Sequence, residues 1–250
     1  MPLAADARIL WHLLRGAARG GSHAQRLRQF YAPQAQGYDA FRERLLQGRR
    51  ELIEWLPAGG GARVIELGGG TGRNLEFFGE RLRGFASFEL VDLCPPLLAI
   101  ARSRVDDMAR RRADKPDGGG LRNLWLIEAD VTDYRPAHQA DCVYFSYALT
   151  MIPDWRRAID NAIAMLAPGG WLGVVDFHLP AGAPISNAFW RRWFAHDGVW
   201  LSSQHLPYLR QRLDTEYCEQ RRGTSPYLPG LKLPYYLFVG RKRAKPIREG

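Results

Sequence analysis

Three acids and a glycine cluster stand at spacings that could hold a nucleoside. The run Arg63-Val-Ile-Glu-Leu-Gly-Gly-Gly-Thr-Gly-Arg-Asn74 sets Glu66 two positions before Gly68, with Gly70 and Gly72 at alternate positions after it. Val64, Ile65 and Leu67 read as a short buried strand, and the glycines let the chain turn sharply from it into a helix. With no side chains there, a bulky ligand can lie on the main chain and face amide N–H groups at a helix N-terminus. The dinucleotide fingerprint is G-x-G-x-x-G, whereas the spacing from Gly68 is one residue tighter. No lysine followed by Ser or Thr closes the run, which excludes a P-loop.

The elements that must position these residues recur along the chain. Phe88-Glu-Leu-Val-Asp92 reads as a second strand ending in an acid about 20 residues after the glycines, where a carboxylate can accept both ribose hydroxyls. Leu93-Cys-Pro-Pro stops that strand, and Leu97 to Arg112 reads as a helix. Leu124 to Asp130, Asp141 to Tyr147 and Gly170 to Asp176 read as the third, fourth and fifth strands. Asp154 caps a helix that runs through Leu166, and Pro168-Gly-Gly170 ends it. Thr215 to Arg222 and Leu233 to Gly240 read as a final strand pair. Any one polar strand end is more often an ordinary solvated end; the ordered set is what marks a site at the carboxyl edge of a parallel sheet.

Before the first strand the chain reads as helical. Residues 3–20 form a short amphipathic basic helix, with Ile9, Leu10, Trp11, Leu13 and Leu14 among Arg8, Arg15 and Arg19. It either packs on the domain or a partner subunit, or lies in a membrane interface. A second helix runs from Arg26 to Leu56, broken near Pro33 and Gly37. The organisation expected is a helical lid or docking segment over 1–57, then one α/β domain over 58–250.

Composition narrows the class. The chain has 250 residues, enough for one large α/β domain, and a formal net charge of +9. Nucleic acid, an anionic membrane surface, or solubility alone could account for that charge. The clusters Arg110-Arg-Arg112 and Arg241-Lys-Arg243 read first as solvated faces. No run of 18 apolar residues is present, and the N-terminus makes a poor secretory signal, so a cytoplasmic location is expected. Cys94, Cys142 and Cys218 lack C-x-x-C spacing, which points to a reducing compartment and no metal cluster.

The pattern E-x-G-x-G-x-G after a strand resembles the first motif of class I S-adenosylmethionine-dependent methyltransferases. A narrower resemblance rests on Phe30 to Arg50, Ser146-Tyr-Ala-Leu-Thr-Met-Ile-Pro-Asp154, Val174-Val-Asp-Phe-His178, Phe189-Trp-Arg-Arg-Trp-Phe194 and Leu233-Pro-Tyr-Tyr-Leu-Phe-Val-Gly240. Over about residues 25–242 the chain resembles the methyltransferase component of betaine lipid synthesis. That resemblance implies a single Rossmann-like domain with a seven-stranded, mostly parallel sheet, an antiparallel last strand and an N-terminal helical lid. It implies S-adenosylmethionine as cofactor, S-adenosylhomocysteine as product, and no metal. It implies three successive methylations of the homoserine amine of diacylglycerylhomoserine. A membrane lipid substrate, peripheral attachment to an anionic inner membrane face, and a separate aminocarboxypropyl transferase follow from it. As cofactor contacts it implies Tyr31, Tyr38, Arg44, Glu66, Gly68, Gly70, Gly72, Asn74, Asp92, Leu93, Asp130, Val131, Ser146 and Met151, with Asp130 on the adenine amino group.

Methyl transfer from a sulfonium to an amine is an in-line displacement that needs alignment and an unprotonated amine. Aromatic faces suit the cationic product, and Tyr31, Tyr38, Tyr147, Phe177 and Trp190 are candidates beside their ordinary packing roles. His178 is expected either to take the amine proton or to be a hydrogen-bonded strand-end histidine. Tyr31, Tyr38, Tyr147 and His178 are thus the candidate catalytic residues. A substrate carboxylate wants a guanidinium fork, for which Arg42, Arg44, Arg191 and Arg192 remain open. Nucleic acid is disfavoured as a target, because Ser146-Tyr-Ala-Leu replaces the Asp/Asn-Pro-Pro-Tyr-like motif of amino-directed nucleic-acid enzymes. A methyltransferase for another small amine or a quinone, and a non-catalytic nucleoside- or lipid-binding module, are the alternatives.

Overall fold

Val64, Ile65 and Leu67 are shut off from water, and the strand they form, β1 (Arg63–Leu67), is where the order of the sheet reverses. A computed structural model describes residues 25, 45–113, 121–180, 182, 187–188, 190–192, 199–224 and 232–243. From β1 the chain passes through two short helical turns, α2 (Leu75–Phe78) and α3 (Arg81–Gly84), into β2 (Ser87–Asp92). Helix α4 (Pro95–Ala113) leads to β3 (Leu124–Glu128), and β4 (Ala140–Ser146) follows. A 3-10 turn (Leu149–Met151) and α5 (Trp155–Met165) precede β5 (Leu166–Phe177). Helix α6 (His205–Arg212) then introduces β6 (Asp214–Thr224) and β7 (Lys232–Arg241). One further helix, α1 (Arg49–Trp55), stands before β1.

The sheet order is β3-β2-β1-β4-β5-β7-β6. The first five strands are parallel; β7 runs antiparallel to β5, and β6 antiparallel to β7. This is the expected seven-stranded, mostly parallel sheet with an antiparallel last strand. Its inner strands are near-continuous apolar runs because both faces are covered. Leu52, Ile53 and Leu56 pack with Tyr144, Val175 and Leu237 on one face, whereas Ala158, Ile159, Ala162, Leu206 and Leu209 cover Val143, Val174 and Phe238 on the other.

Several boundaries differ from the expectation, each for a local reason. The expected long helix to Leu56 is interrupted at Gly48, whose φ of 79° caps α1 in the left-handed region. A Cβ there would stand 2.9 Å from the Tyr235 ring, so glycine lets this turn approach β7 closely. The helix capped by Asp154 stops at Met165, and Leu166 already pairs with Ala140, starting β5 earlier than expected across a register shift. Helix α6 was not foreseen. The expected helix over 3–20, and the lid around Tyr31 and Tyr38, lie outside the described residues. Among the described residues no helix is long and apolar enough to cross a membrane.

Candidate active site

The glycine loop is shaped by backbone ties to its neighbour. Gly68 N and Gly69 N both donate to the Val91 carbonyl, at 2.8 and 3.2 Å, and this draws the turn across the end of β2. Gly68, Gly70 and Gly72 all take positive φ, of 73°, 54° and 69°. Glycine is needed at these positions for different reasons. A Cβ on Gly68 would strike the Ala148 Cβ at 2.5 Å, while one on Gly70 would meet only the Leu97 Cδ1, at 3.7 Å. Gly70 is therefore open on the side that faces the cavity.

Asp92, the last residue of β2, organises the loop from the next strand. Its Oδ2 accepts from Gly70 N at 2.8 Å, and its Oδ1 accepts from Cys94 N at 2.8 Å. The second bond serves α4, which opens with Pro95 at the first position, where the missing N–H costs nothing. Asp130 stands just past β3 and closes an Asx turn, with its Oδ1 accepting from Thr132 N at 2.8 Å and Thr132 Oγ1 at 2.7 Å. Asn161 of α5 pins the same loop by donating to the Val131 carbonyl at 2.8 Å.

These loops enclose a cavity of about 290 Å³ at the carboxyl ends of β1, β2, β3 and β4, beside the point where the strand order reverses. Gly68, Gly70, Asn74, Asp92, Leu93, Asp130, Val131, Ser146, Tyr147 and Met151 all line it. Tyr31, Tyr38, Arg42 and Arg44 fall outside the described residues.

Three of the expected residues do not line the cavity. Glu66 does not line the cavity; it is 1% exposed behind the loop, where Asn74 Nδ2 donates to its Oε1 at 2.6 Å. Burial pushes its carboxyl up to about 7, against the opposing help of Asn74 and the neighbouring Tyr144 hydroxyl, which falls short of hydrogen-bond geometry. Gly72 also stays behind the loop, where a Cβ would crowd the Ala101 Cβ at 3.2 Å, so its role is to let α4 pack closely. His178 does not line the cavity either. Its backbone N–H donates to the Pro234 carbonyl at 3.3 Å, its ring edges Tyr236 at 5.8 Å, and burial pushes the imidazole down to about 4. It stands away from the lining, and its lowered basicity makes it a weak proton acceptor, which favours the strand-end reading.

Residues that the sequence reading passed over complete the site. Arg49 of α1 reaches the lining, 7% exposed, with Nε donating to the Leu46 carbonyl at 3.1 Å. Arg73, Thr71, Leu97, Thr132, Ile152, Pro153, Asp154 and Arg157 line it too. Ile152 to Asp154 had a signal, since they belong to the Ser146–Asp154 motif. Arg49 falls inside the Phe30–Arg50 motif, but the motif did not single it out from its neighbouring arginines. Tyr147 is held at φ 54°, unusual for a bulky residue and costing of order 1 kcal/mol or more. Its ring lies 4.6 Å from Phe177 and its hydroxyl donates to the Gln47 carbonyl at 2.7 Å, tying β4 to the turn before α1.

The donor set fits a nucleoside carrying an amino-acid tail. The lining brings together two acids, Asp92 and Asp130, the bare backbone of Gly68 to Gly70, and two arginines, Arg49 and Arg73. Buried Asn74 Oδ1 and Ser146 Oγ, both on lining residues, make no hydrogen bond among the described residues. Among the described residues no group of three His, Cys, Asp or Glu could hold a metal ion.

Comparison with known proteins agrees with this geometry. A family described as a methyltransferase domain matches residues 34–219. The ubiquinone/menaquinone biosynthesis C-methyltransferase UbiE of Pseudomonas fluorescens (strain Pf0-1) is 26% identical over 172 residues, 66% of this chain and 63% of that relative's own length. UbiE of Vibrio cholerae serotype O1 (strain ATCC 39541) is 24% identical over 192 residues, covering 74% of this chain and 70% of the relative. The N-methyltransferase NodS from Bradyrhizobium japonicum WM9, solved with S-adenosyl-L-homocysteine, shares the fold at TM-score 0.62 and 20% identity, over 89% of this chain and 99% of that one. The match over most of the sequence, on a glycine loop and acids set as such a cofactor requires, means that this chain belongs to the methyltransferase-domain family of S-adenosylmethionine-dependent enzymes.

Proposed function

We propose that the protein is an N-methyltransferase that trimethylates the homoserine amine of diacylglycerylhomoserine, giving a betaine lipid headgroup. The observation that carries an amine acceptor is the wall formed by Tyr147, which lines the cavity and rests on Phe177 at the ends of β4 and β5. An aromatic face stabilises a cation as it forms, and among the described lining residues there is no histidine to act as a base. Methylation of a ring carbon requires removal of a proton from carbon, whereas an amine can lose its proton to water before it is aligned. S-adenosylmethionine supplies the methyl group on a sulfonium. The chain's part is to hold the ribose with Asp92, leave room over Gly70, and meet the charged tail with Arg49. The named activity of NodS, an N-methyltransferase of the same fold, is consistent with this reading.

A lipid acceptor implies work at a bilayer surface. The basic helix expected over residues 3–20 would dock there, and Trp200, 60% exposed beside the Thr150 turn, would sit at the interface. A quinone acceptor is the second reading, favoured by the UbiE relatives. Mass spectrometry of lipids after incubation with S-adenosylmethionine separates the two. Mono-, di- and trimethylated products from diacylglycerylhomoserine support the proposal; methylation of a demethylated quinone alone overturns it.

A further inference from the structure

The 3-10 turn Leu149–Met151 is a small element with a large share of the cavity wall. Ala148, Met151, Ile152 and Pro153 line the cavity on both sides of Thr150. A three-residue 3-10 turn has poor internal hydrogen bonds and little stability of its own. Its position is therefore set by what holds it from outside.

Two ties meet at Thr150, which is 2% exposed. From below, Asp176 of β5 accepts from Thr150 Oγ1 at 2.8 Å and from Thr150 N at 3.2 Å. The same carboxylate also accepts from Phe177 N at 2.8 Å. From above, Trp200 N donates to the Thr150 carbonyl at 2.7 Å, joining the turn to the segment that follows β5. Asp176 is wholly buried between its strand neighbours, paired in register with Tyr236. Burying a carboxylate is costly unless it is well bonded, and an apolar residue would suffice for packing alone. Its bonds converge on one turn, and that turn faces the cofactor cavity.

We propose that Asp176 and Thr150 form a positioning pair, which fixes the Leu149–Met151 turn as a wall of the cofactor cavity and joins it to the segment entering at Trp200. Neither residue lines the cavity. The pair acts through Met151, Ile152 and Pro153. The inference rests on the cofactor site and is independent of which acceptor is used.

The test is calorimetric binding of S-adenosylhomocysteine to the full chain and its variants, with thermal unfolding measured in parallel. Thr150→Val keeps shape but removes the hydroxyl donor, and Thr150→Ser keeps the donor. A hydrogen bond to a charged group supports a loss of about 5- to 20-fold in affinity for Thr150→Val, with Thr150→Ser within about 2-fold of the wild type. Asp176→Asn should weaken binding at least as much as Thr150→Val. If Asp176→Asn does not fold, Thr150→Val decides, because it leaves the carboxylate and its backbone donors in place. The proposal is overturned if Thr150→Val lowers the melting temperature yet binds the ligand as the wild type does, or if Thr150→Ser binds as poorly as Thr150→Val. A wild-type chain that binds no S-adenosylhomocysteine would overturn the cofactor site itself, which is a different outcome.

Discussion

Gly70→Val tests the glycine loop most directly. Gly70 has a φ of 54°, and a non-glycine residue there costs roughly 1–2 kcal/mol. A new Cβ would meet the Leu97 Cδ1 at 3.7 Å, an ordinary contact, so the fold itself has room for it. For a chain of this size that strain corresponds to a fall of about 2–8 °C in melting temperature. The two methyl groups, however, project where the ligand lies on the backbone. Overpacking of a fitted site costs about 1–3 kcal/mol, which is roughly 5- to 150-fold in dissociation constant. Gly70→Ala carries the same backbone strain with far less intrusion, so it should show a similar thermal shift and a smaller loss of affinity. Calorimetry with S-adenosylhomocysteine, on protein shown to be folded by circular dichroism, reads both variants. A folded Gly70→Val that binds normally would mean that the cofactor does not lie over this loop.

Asp92→Ala should weaken S-adenosylhomocysteine at least 10-fold, about 1.4–3 kcal/mol, because it removes both a ribose acceptor and the tie to Gly70 N; unchanged affinity in the same titration would sink that role. Glu66 has its carboxyl raised from 4.5 to about 7 in the folded chain, so its stabilising effect is complete below about pH 4.5 and is lost as pH rises through 7. Glu66→Gln should therefore match the wild type below about pH 4 and exceed its stability by roughly 3 kcal/mol above pH 8, as followed by denaturant melts; a difference that does not change with pH would refute the burial argument. Deleting residues 1–20 should lower turnover on anionic vesicles while sparing cofactor binding, and flotation of the full chain should weaken as salt shortens the Debye length from about 10 Å at 0.1 M to 3 Å at 1 M. Equal flotation and turnover by the truncated chain would leave that helix a packing role only.

The loop of alternating glycines, the acids at the ends of the second and third strands, and the strand pattern itself were legible without coordinates. They are local: a strand's apolar run, a glycine's conformational freedom and a strand-end carboxylate each depend on a few neighbouring residues. The antiparallel end of the sheet followed from the resemblance, and β7 bears it out. What the sequence could not supply was depth and direction. Glu66 and Gly70 lie four positions apart in one motif, yet one is sealed behind the loop while the other faces the cavity. His178 carries the right chemistry at a strand end, but packing beside β7 and the Tyr236 ring buries it away from the cavity and weakens it as a base. Arg49 enters the site only because Gly48 turns α1 toward the loop, and Asp176 gains its role only because Thr150, 26 residues earlier, folds back onto β5. Local propensity fixes which elements form; which side chains meet at the site depends on how distant elements pack, and that is a property of the tertiary structure alone.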